Sequence, residues 1–367
     1  MKLTRILSAA ALLGALVLTS CKENPQTLFP VYAWDGVGEQ IDPDAVRAKF
    51  QEWKDHGVVG VCIGSHVSLE NTATVSRIAH ELGLEYHAWE ACMLRAGLPH
   101  GWYAVNRLGQ SADDFPAFVD YYKALDPRNP EVRAYLVDVC SAIAEVPDVD
   151  YVHLDYIRYP DVILARGLWD KYGLTMEHEY APADYCYCDD CVAAFREETG
   201  IDIRAVEDPE QVPEWADFRC RAVTGLVEMI AEAVHAKGKK LSAAVFPGPD
   251  SHARWMVRQQ WDEWPLDMVF PMNYNDFYLE PAEWLETITA EEVGAAGEKM
   301  PVVSGLFICP DWQRKMEVDD PENSGLLPSE LGTAIAGIRR TGAAGICLFT
   351  PGRMSPEHWT ELEKAIR

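Results

Sequence analysis

The chain has 367 residues, with 58 acidic against 32 basic side chains, a formal charge of −26 at pH 7 and 48% hydrophobic residues. So acidic a surface repels phosphate backbones and anionic head groups, which excludes nucleic acid as a partner and disfavours acidic polysaccharides. No basic patch is longer than Lys237 to Lys240, and the length suits one large α/β domain.

At the N-terminus, Lys2 and Arg5 precede an apolar run from Ile6 to Leu18, the length of a signal-peptide core and short for a bilayer span. It closes at Leu18-Thr19-Ser20-Cys21, which resembles the lipobox of bacterial lipoproteins. The resemblance implies removal of residues 1–20, lipidation at Cys21, residues 21–28 as a lipid-anchored tether and residues 29–367 as the folded part. An ordinary secretory signal is the alternative. The expected location is the cell envelope, with the lipid anchor in a membrane. The periplasmic face and the cell surface both stay open, as does the oligomeric state.

Apolar strands then alternate with helical stretches. The predicted strands are Phe29 to Asp35, Val58 to Ile63, Glu85 to Ala91, Asp150 to Tyr156, Leu241 to Phe246, Met268 to Tyr274, Val302 to Ile308 and Gly345 to Phe349. Helical spacing of Val46, Phe50 and Trp53 predicts a helix over Pro43 to His56, with Asp42 as N-cap. Further helices are expected over Asn71 to Leu82 and Ala222 to His235, and after Ser355-Pro356. Eight strands each followed by a helix is the count of a (β/α)₈ TIM barrel. A doubly wound open sheet competes, but no Gly-rich phosphate turn follows the first strand. The surplus over the ~250 residues of a minimal barrel lies in long insertions after strands three and four, Cys92 to Asp148 and Asp161 to Arg221. Both should overhang the C-terminal face. No internal repeat or low-complexity segment is seen.

His153-Leu154-Asp155-Tyr156-Ile157-Arg158-Tyr159-Pro160 closes the fourth strand. Alternation sends His153 and Asp155 to one face, and Pro160 cannot donate to a ladder, so the strand stops before it. An acid at a strand's C-terminal end is where barrel enzymes keep their chemistry. A buried Asp155–Arg158 pair bracing a loop is the structural alternative.

His87-Ala88-Trp89, then His100 to Arg107, Leu125-Asp126-Pro127 with Glu131-Val132-Arg133, the octet from His153 to Pro160, Gln260 to Trp264 and Phe270 to Tyr274 form an ordered series. In that order the series resembles the bacterial glycosyl-hydrolase-like 10 family, across nearly the whole chain after the leader. The resemblance implies a TIM-barrel, glycosidase-like protein, often borne on an envelope lipoprotein, more firmly than any particular sugar. Glu90 departs from the pattern, because a non-acidic residue commonly follows His-Ala-Trp in the family.

Glycoside hydrolysis generally uses two carboxyl groups, one protonating the leaving oxygen and one attacking the anomeric carbon or activating water. Asp155 is the first, expected as nucleophile or base with Arg158 and His153 holding it ionised. The second must come from another strand end. Asp276 after strand six is favoured by analogy with α-galactosidase-like barrels, with Glu90 closing strand three and Asp311 after strand seven as the others. Each of the three is otherwise a helix cap or a loop acid. Sugar faces stack on aromatic rings, and strand ends supply Trp34, Asp35, His66, His87, Trp89, His153, Tyr156, Arg158, Asn273, Tyr274, Phe277, Asp311 and Trp312 as a substrate-binding set. Some of these are expected to be barrel core.

Cys186-Tyr187-Cys188-Asp189-Asp190-Cys191 places three thiols in six positions, a spacing suited to tetrahedral zinc lacking its fourth ligand. It is similar to the cysteine cluster of family 42 β-galactosidases, which implies a structural zinc; Cys92, Cys140, Cys220 or His178 could complete it. A disulfide or free thiols are the alternatives in an oxidising compartment. Cys62, Cys309 and Cys347 fall in or beside strands as small core hydrophobes. No Gly-x-Ser-x-Gly supports a serine hydrolase. The leading expectation is an envelope-anchored glycoside hydrolase that acts on a neutral glycan and needs no cofactor for catalysis. The others are a carbohydrate-binding lipoprotein without turnover and a barrel lyase or deacetylase using Asp155 with His153 or His87, marked by a divalent metal near Asp155.

Overall fold

The computed structural model describes residues 28–64, 68–315 and 324–367. The expected leader and tether, with Cys21, fall outside the described residues, apart from Leu28; so does His66. Among the described residues no helix is long and apolar enough to cross a membrane.

Eight parallel strands form one sheet in the order β6-β5-β4-β3-β2-β1-β8-β7. They are β1 Val31–Asp35, β2 Val58–Gly64, β3 Glu85–Ala91, β4 Tyr151–Asp155, β5 Lys240–Val245, β6 Met268–Pro271, β7 Val303–Phe307 and β8 Gly345–Phe349. Parallel bridges Val269–Val302 and Met272–Gly305 join β6 to β7 and close the ring. The fold is a (β/α)₈ TIM barrel.

Strand alternation separates two cores. Tyr32, Trp34, Cys62, Tyr151, Ala244, Met268, Phe270, Val303 and Cys347 fill the barrel interior. Their neighbours in sequence, among them Ala33, Val61, Ile63, Val152, Leu154, Ala243 and Val269, face the surrounding helices. The interior leaves no room at Gly305, where a Cβ would lie 2.6 Å from the Pro271 carbonyl oxygen and 2.7 Å from the Trp34 ring.

Helix starts follow the capping chemistry. Asp42 accepts from the backbone amides of Asp44 and Ala45 ahead of helix Pro43–Asp55, and Ser355 caps helix Pro356–Ala365. Helix Pro213–Ala236 begins at Pro213 rather than Ala222, because Pro at the first helical turn gives up no hydrogen bond. The expected repeat breaks after β5, where only the short helical segments Pro249–Ala253, Arg254–Val257 and Trp261–Glu263 precede β6. β6 ends at Pro271 rather than Tyr274 because the chain turns there: the amides of Asn273 and Tyr274 bond back to Pro271 and Met272. The segments after β3 and β4 are stitched together by an Asn106–Tyr185 bridge and by the Tyr187 amide on the Val105 carbonyl at 2.7 Å.

Candidate active site

At the C-terminal mouth of the barrel lies a cavity of about 300 Å³ with Asp155 in its lining. Trp34, Trp89, Ala244, Met272, Phe307 and Phe349 contribute from strand ends and inner positions, and Tyr156, Tyr274, Phe277 and Tyr278 from the loops beyond. Tyr121 and Tyr122 from the β3 insertion and Leu168, Lys171 and Tyr172 from the β4 insertion complete the wall. The two long insertions therefore build the pocket, as overhanging loops in a barrel do.

Asp155 is 6% exposed. Its Oδ2 accepts from Trp89 Nε1 at 2.9 Å and its Oδ1 from its neighbour's amide, Tyr156 N, at 2.6 Å. Tyr156 holds φ at +48°, a left-handed conformation costly for a bulky residue, and the turn there brings its amide onto Asp155. Burial raises the Asp155 pKa, and this outweighs the opposing pull of the Tyr156 amide, Arg158 and Trp89. Arg158 favours the charged form, as expected, but His153 does not, because burial keeps its imidazole neutral.

His153 is fully buried, and both its ring nitrogens are engaged inside the barrel. Trp34 Nε1, a donor only, lies 2.9 Å from His153 Nε2. That fixes the proton on Nδ1, which donates to Ser242 Oγ at 2.9 Å. The Ser242 hydroxyl then donates to His87 Nδ1 at 3.0 Å, and His87 Nε2–H donates to Glu85 Oε2 at 3.2 Å. Burial lowers the pKa of both imidazoles, in keeping with this neutral chain. His87 stacks on Tyr151 with ring centroids 4.1 Å apart. His153 and His87 are barrel core rather than sugar ligands, so a lyase or deacetylase that uses them as bases finds no free nitrogen.

Arg158 lines the cavity but does not pair with Asp155. Its Nη1 donates to Asp161 Oδ2 at 2.8 Å, and its guanidinium lies over Phe246 at 4.7 Å and Tyr156 at 5.3 Å. Asp161, 4% exposed, is the other carboxylate of the cavity lining. Its signal in the sequence is Arg158-x-x-Asp161 straddling Pro160.

The three acids proposed as second carboxylate stand elsewhere. Glu90 points away from the interior, as its parity with inward His87 and Trp89 requires, and forms an ion pair with Arg95 beneath helix Pro130–Ala144. Asp276 sits in the turn after β6, where its Oδ2 accepts from the Gly325 amide at 2.7 Å; it ties the β6 and β7 loops together and does not line the cavity, though Phe277 beside it does. Asp311 is exposed and Trp312 half-buried on the loop after β7, and neither is part of the lining.

Of the remaining substrate-binding candidates, Trp34, Trp89, Tyr156, Arg158, Tyr274 and Phe277 do meet at the cavity. Asp35 is held by Lys49 at 3.1 Å outside it. Asn273 faces outward, where its Nδ2 donates to Ser304 Oγ at 2.9 Å and to Glu292 Oε2 at 2.9 Å.

A second constellation lies between the insertions. One ligating atom each from Cys186, Cys188, Cys191 and Asp126 lies within 4.8 Å of every other. The cysteines are all free, so no disulfide joins them. Cys92, Cys140, Cys220 and His178, offered as fourth ligands, do not belong to the group, and Asp126 takes that place.

No protein-family model matches the chain, and no curated protein matches it. Among solved structures, the chain is similar to the PgaB (BpsB) glycoside hydrolase domain from Bordetella bronchiseptica, with a TM-score of 0.64 and 13% identity over 92% of this chain and 98% of that one. It is also similar to the catalytic domain of a β-amylase from Paenibacillus polymyxa, at a TM-score of 0.56 and 10% identity over 92% and 97% of the two chains. A class V chitinase from Pseudomonas fluorescens Pf-5 gives 0.53 and 12% identity over 93% and 100%. These likenesses establish a barrel of the kind glycoside hydrolases use; at such identities they carry no residue role across.

Proposed function

We propose that the protein is an envelope glycoside hydrolase of the glycosyl-hydrolase-like 10 kind, with Asp155 as the proton-transferring carboxyl group. The observation that carries this reading is Asp155 itself: a desolvated carboxyl at the end of β4, oriented by Trp89 and Tyr156 and opening into an aromatic-walled cavity. Aromatic faces suit the apolar faces of sugar rings, and a lining in which Arg158 and Lys171 offset Asp155 and Asp161 suits a neutral or weakly charged glycan. The solved structures it resembles include proteins whose names specify glycan hydrolysis, which agrees with that substrate class.

Burial suits Asp155 to deliver a proton to the leaving oxygen. Asp161, with Arg158 as its counter-charge, is the carboxylate available to receive the other role, nucleophile or base. No organic cofactor enters this chemistry. Anchoring through Cys21 would hold the barrel at the membrane surface, within reach of envelope or extracellular glycans.

The test is a screen of the purified protein against aryl-glycosides and plant or host glycans beside Asp155→Asn. Turnover by the wild type with a loss of ~10²–10⁴-fold in the variant is expected. Equal turnover by the variant overturns the role of Asp155. Glycan binding without turnover in either protein favours a carbohydrate-capturing lipoprotein.

A further inference from the structure

We infer that Cys186, Cys188, Cys191 and Asp126 form a four-coordinate zinc site that clamps the insertion after β3 to the insertion after β4. The four groups are spaced for a common ion. A tetrahedral zinc with Zn–S near 2.3 Å and Zn–O near 2.1 Å sets S···O edges of about 3.6 Å. The Asp126 oxygens lie 3.3 Å from the Cys188 sulfur and 3.6–3.7 Å from the Cys191 sulfur.

The surroundings prepare the sulfurs for a metal. Cys188 caps the N-terminus of helix Asp189–Thr199, where its sulfur accepts from the Cys191 amide at 3.4 Å, and the Cys188 amide points at the Cys186 sulfur at 3.5 Å. Amides and a helix N-terminus aimed at sulfur stabilise thiolate. Three sulfurs and a carboxylate converge in one largely buried spot, and among the described residues no salt bridge joins Asp126 to a basic side chain. A donor set dominated by sulfur selects zinc over calcium or magnesium.

The site also has an approach. A second cavity reaches both Asp126 and Cys188, together with His100, Arg128 and Asp190, so an ion can enter after the barrel has formed. With three sulfurs and one oxygen the coordination shell is closed, which marks a structural rather than a catalytic ion. Its function follows from position. Tyr121 and Tyr122 on one insertion and Leu168 and Tyr172 on the other belong to the active-site wall, and the metal joins the two segments that carry them. This inference stands whether or not the cavity hydrolyses glycans.

The experiment is metal analysis of the full chain purified under reducing conditions, with cobalt substitution to read the coordination. One zinc per chain is expected, and a cobalt spectrum with sulfur charge-transfer bands and tetrahedral d–d bands. Cys188→Ser and Cys191→Ser should lose the metal, Asp126→Asn should weaken it by 10-fold or more, and Asp126→Cys should keep it with a stronger charge-transfer band. Cys220→Ser, at a buried cysteine outside the group, should bind as the wild type does and controls for folding. A reduced, folded chain that takes up neither zinc nor cobalt overturns the site. Unchanged affinity and spectrum in Asp126→Asn overturn Asp126 as the fourth ligand.

Discussion

Trp89 Nε1 and the Asp155 carboxylate are joined by a 2.9 Å hydrogen bond between adjacent strands, with Trp89 one inward position below the acid on the β3–β4 ladder. The indole is a donor only, so the bond favours the charged carboxylate and opposes the desolvation that raises its pKa. Replacing Trp89 by Phe keeps the ring and removes the donor. The Asp155 pKa should then rise further. If Asp155 acts as the acid, the alkaline limb of the kcat/KM profile should move to higher pH, with kcat falling about 10-fold from lost orientation. A profile that stays in place would detach Trp89 from the ionisation of Asp155.

The chain Trp34–His153–Ser242–His87–Glu85 depends on a single hydroxyl at its centre. Ser242→Ala leaves the His153 Nδ1 donor and the His87 Nδ1 acceptor buried without partners, at a cost of about 1–3 kcal/mol. Urea unfolding should show a lower midpoint with an unchanged slope. A Ser242→Ala protein as stable as the wild type would mean that the two imidazoles bond elsewhere.

Glu292 offers a test of pH linkage away from the cavity. Buried against Asn273 and the Gly248 amide, its pKa is pushed up to about 8 by desolvation. Between about 4.5 and about 8 the folded state holds a proton that the unfolded state has released. The contribution is therefore fully present below pH 4.5 and is lost as pH rises through 8, at up to about 1.4 kcal/mol per pH unit. Glu292→Gln should flatten that decline in thermal stability between pH 5 and 8. An unchanged slope would show that another group carries it.

Gly305→Ala should destabilise the barrel by about 1–3 kcal/mol, since the added methyl meets the Pro271 carbonyl and the Trp34 ring and neither has space to retreat. Chemical denaturation measures the loss, and the Trp34 fluorescence environment should change with it. A neutral substitution would indicate that β7 shifts freely against β6.

The sequence by itself determined the strands, because buried parallel strands leave apolar runs bounded by turn residues, and eight such runs admit few architectures. It also placed Asp155, since Pro160 ends the strand and alternation aims the acid inward. His87 and Trp89 facing inward already turns Glu90 outward to Arg95. The tertiary structure alone decided which side chains share the cavity. Tyr121 and Tyr122 reach it through a long insertion, and Asp161 enters the lining on the arm of Arg158. It also decided that His153 is spent on Trp34 and Ser242 rather than on Asp155. Asp126 lies 62 positions from Cys188. Periodicity reports only neighbours along one element, so a contact between loops at that separation is set by how the barrel carries the two insertions, not by any local pattern.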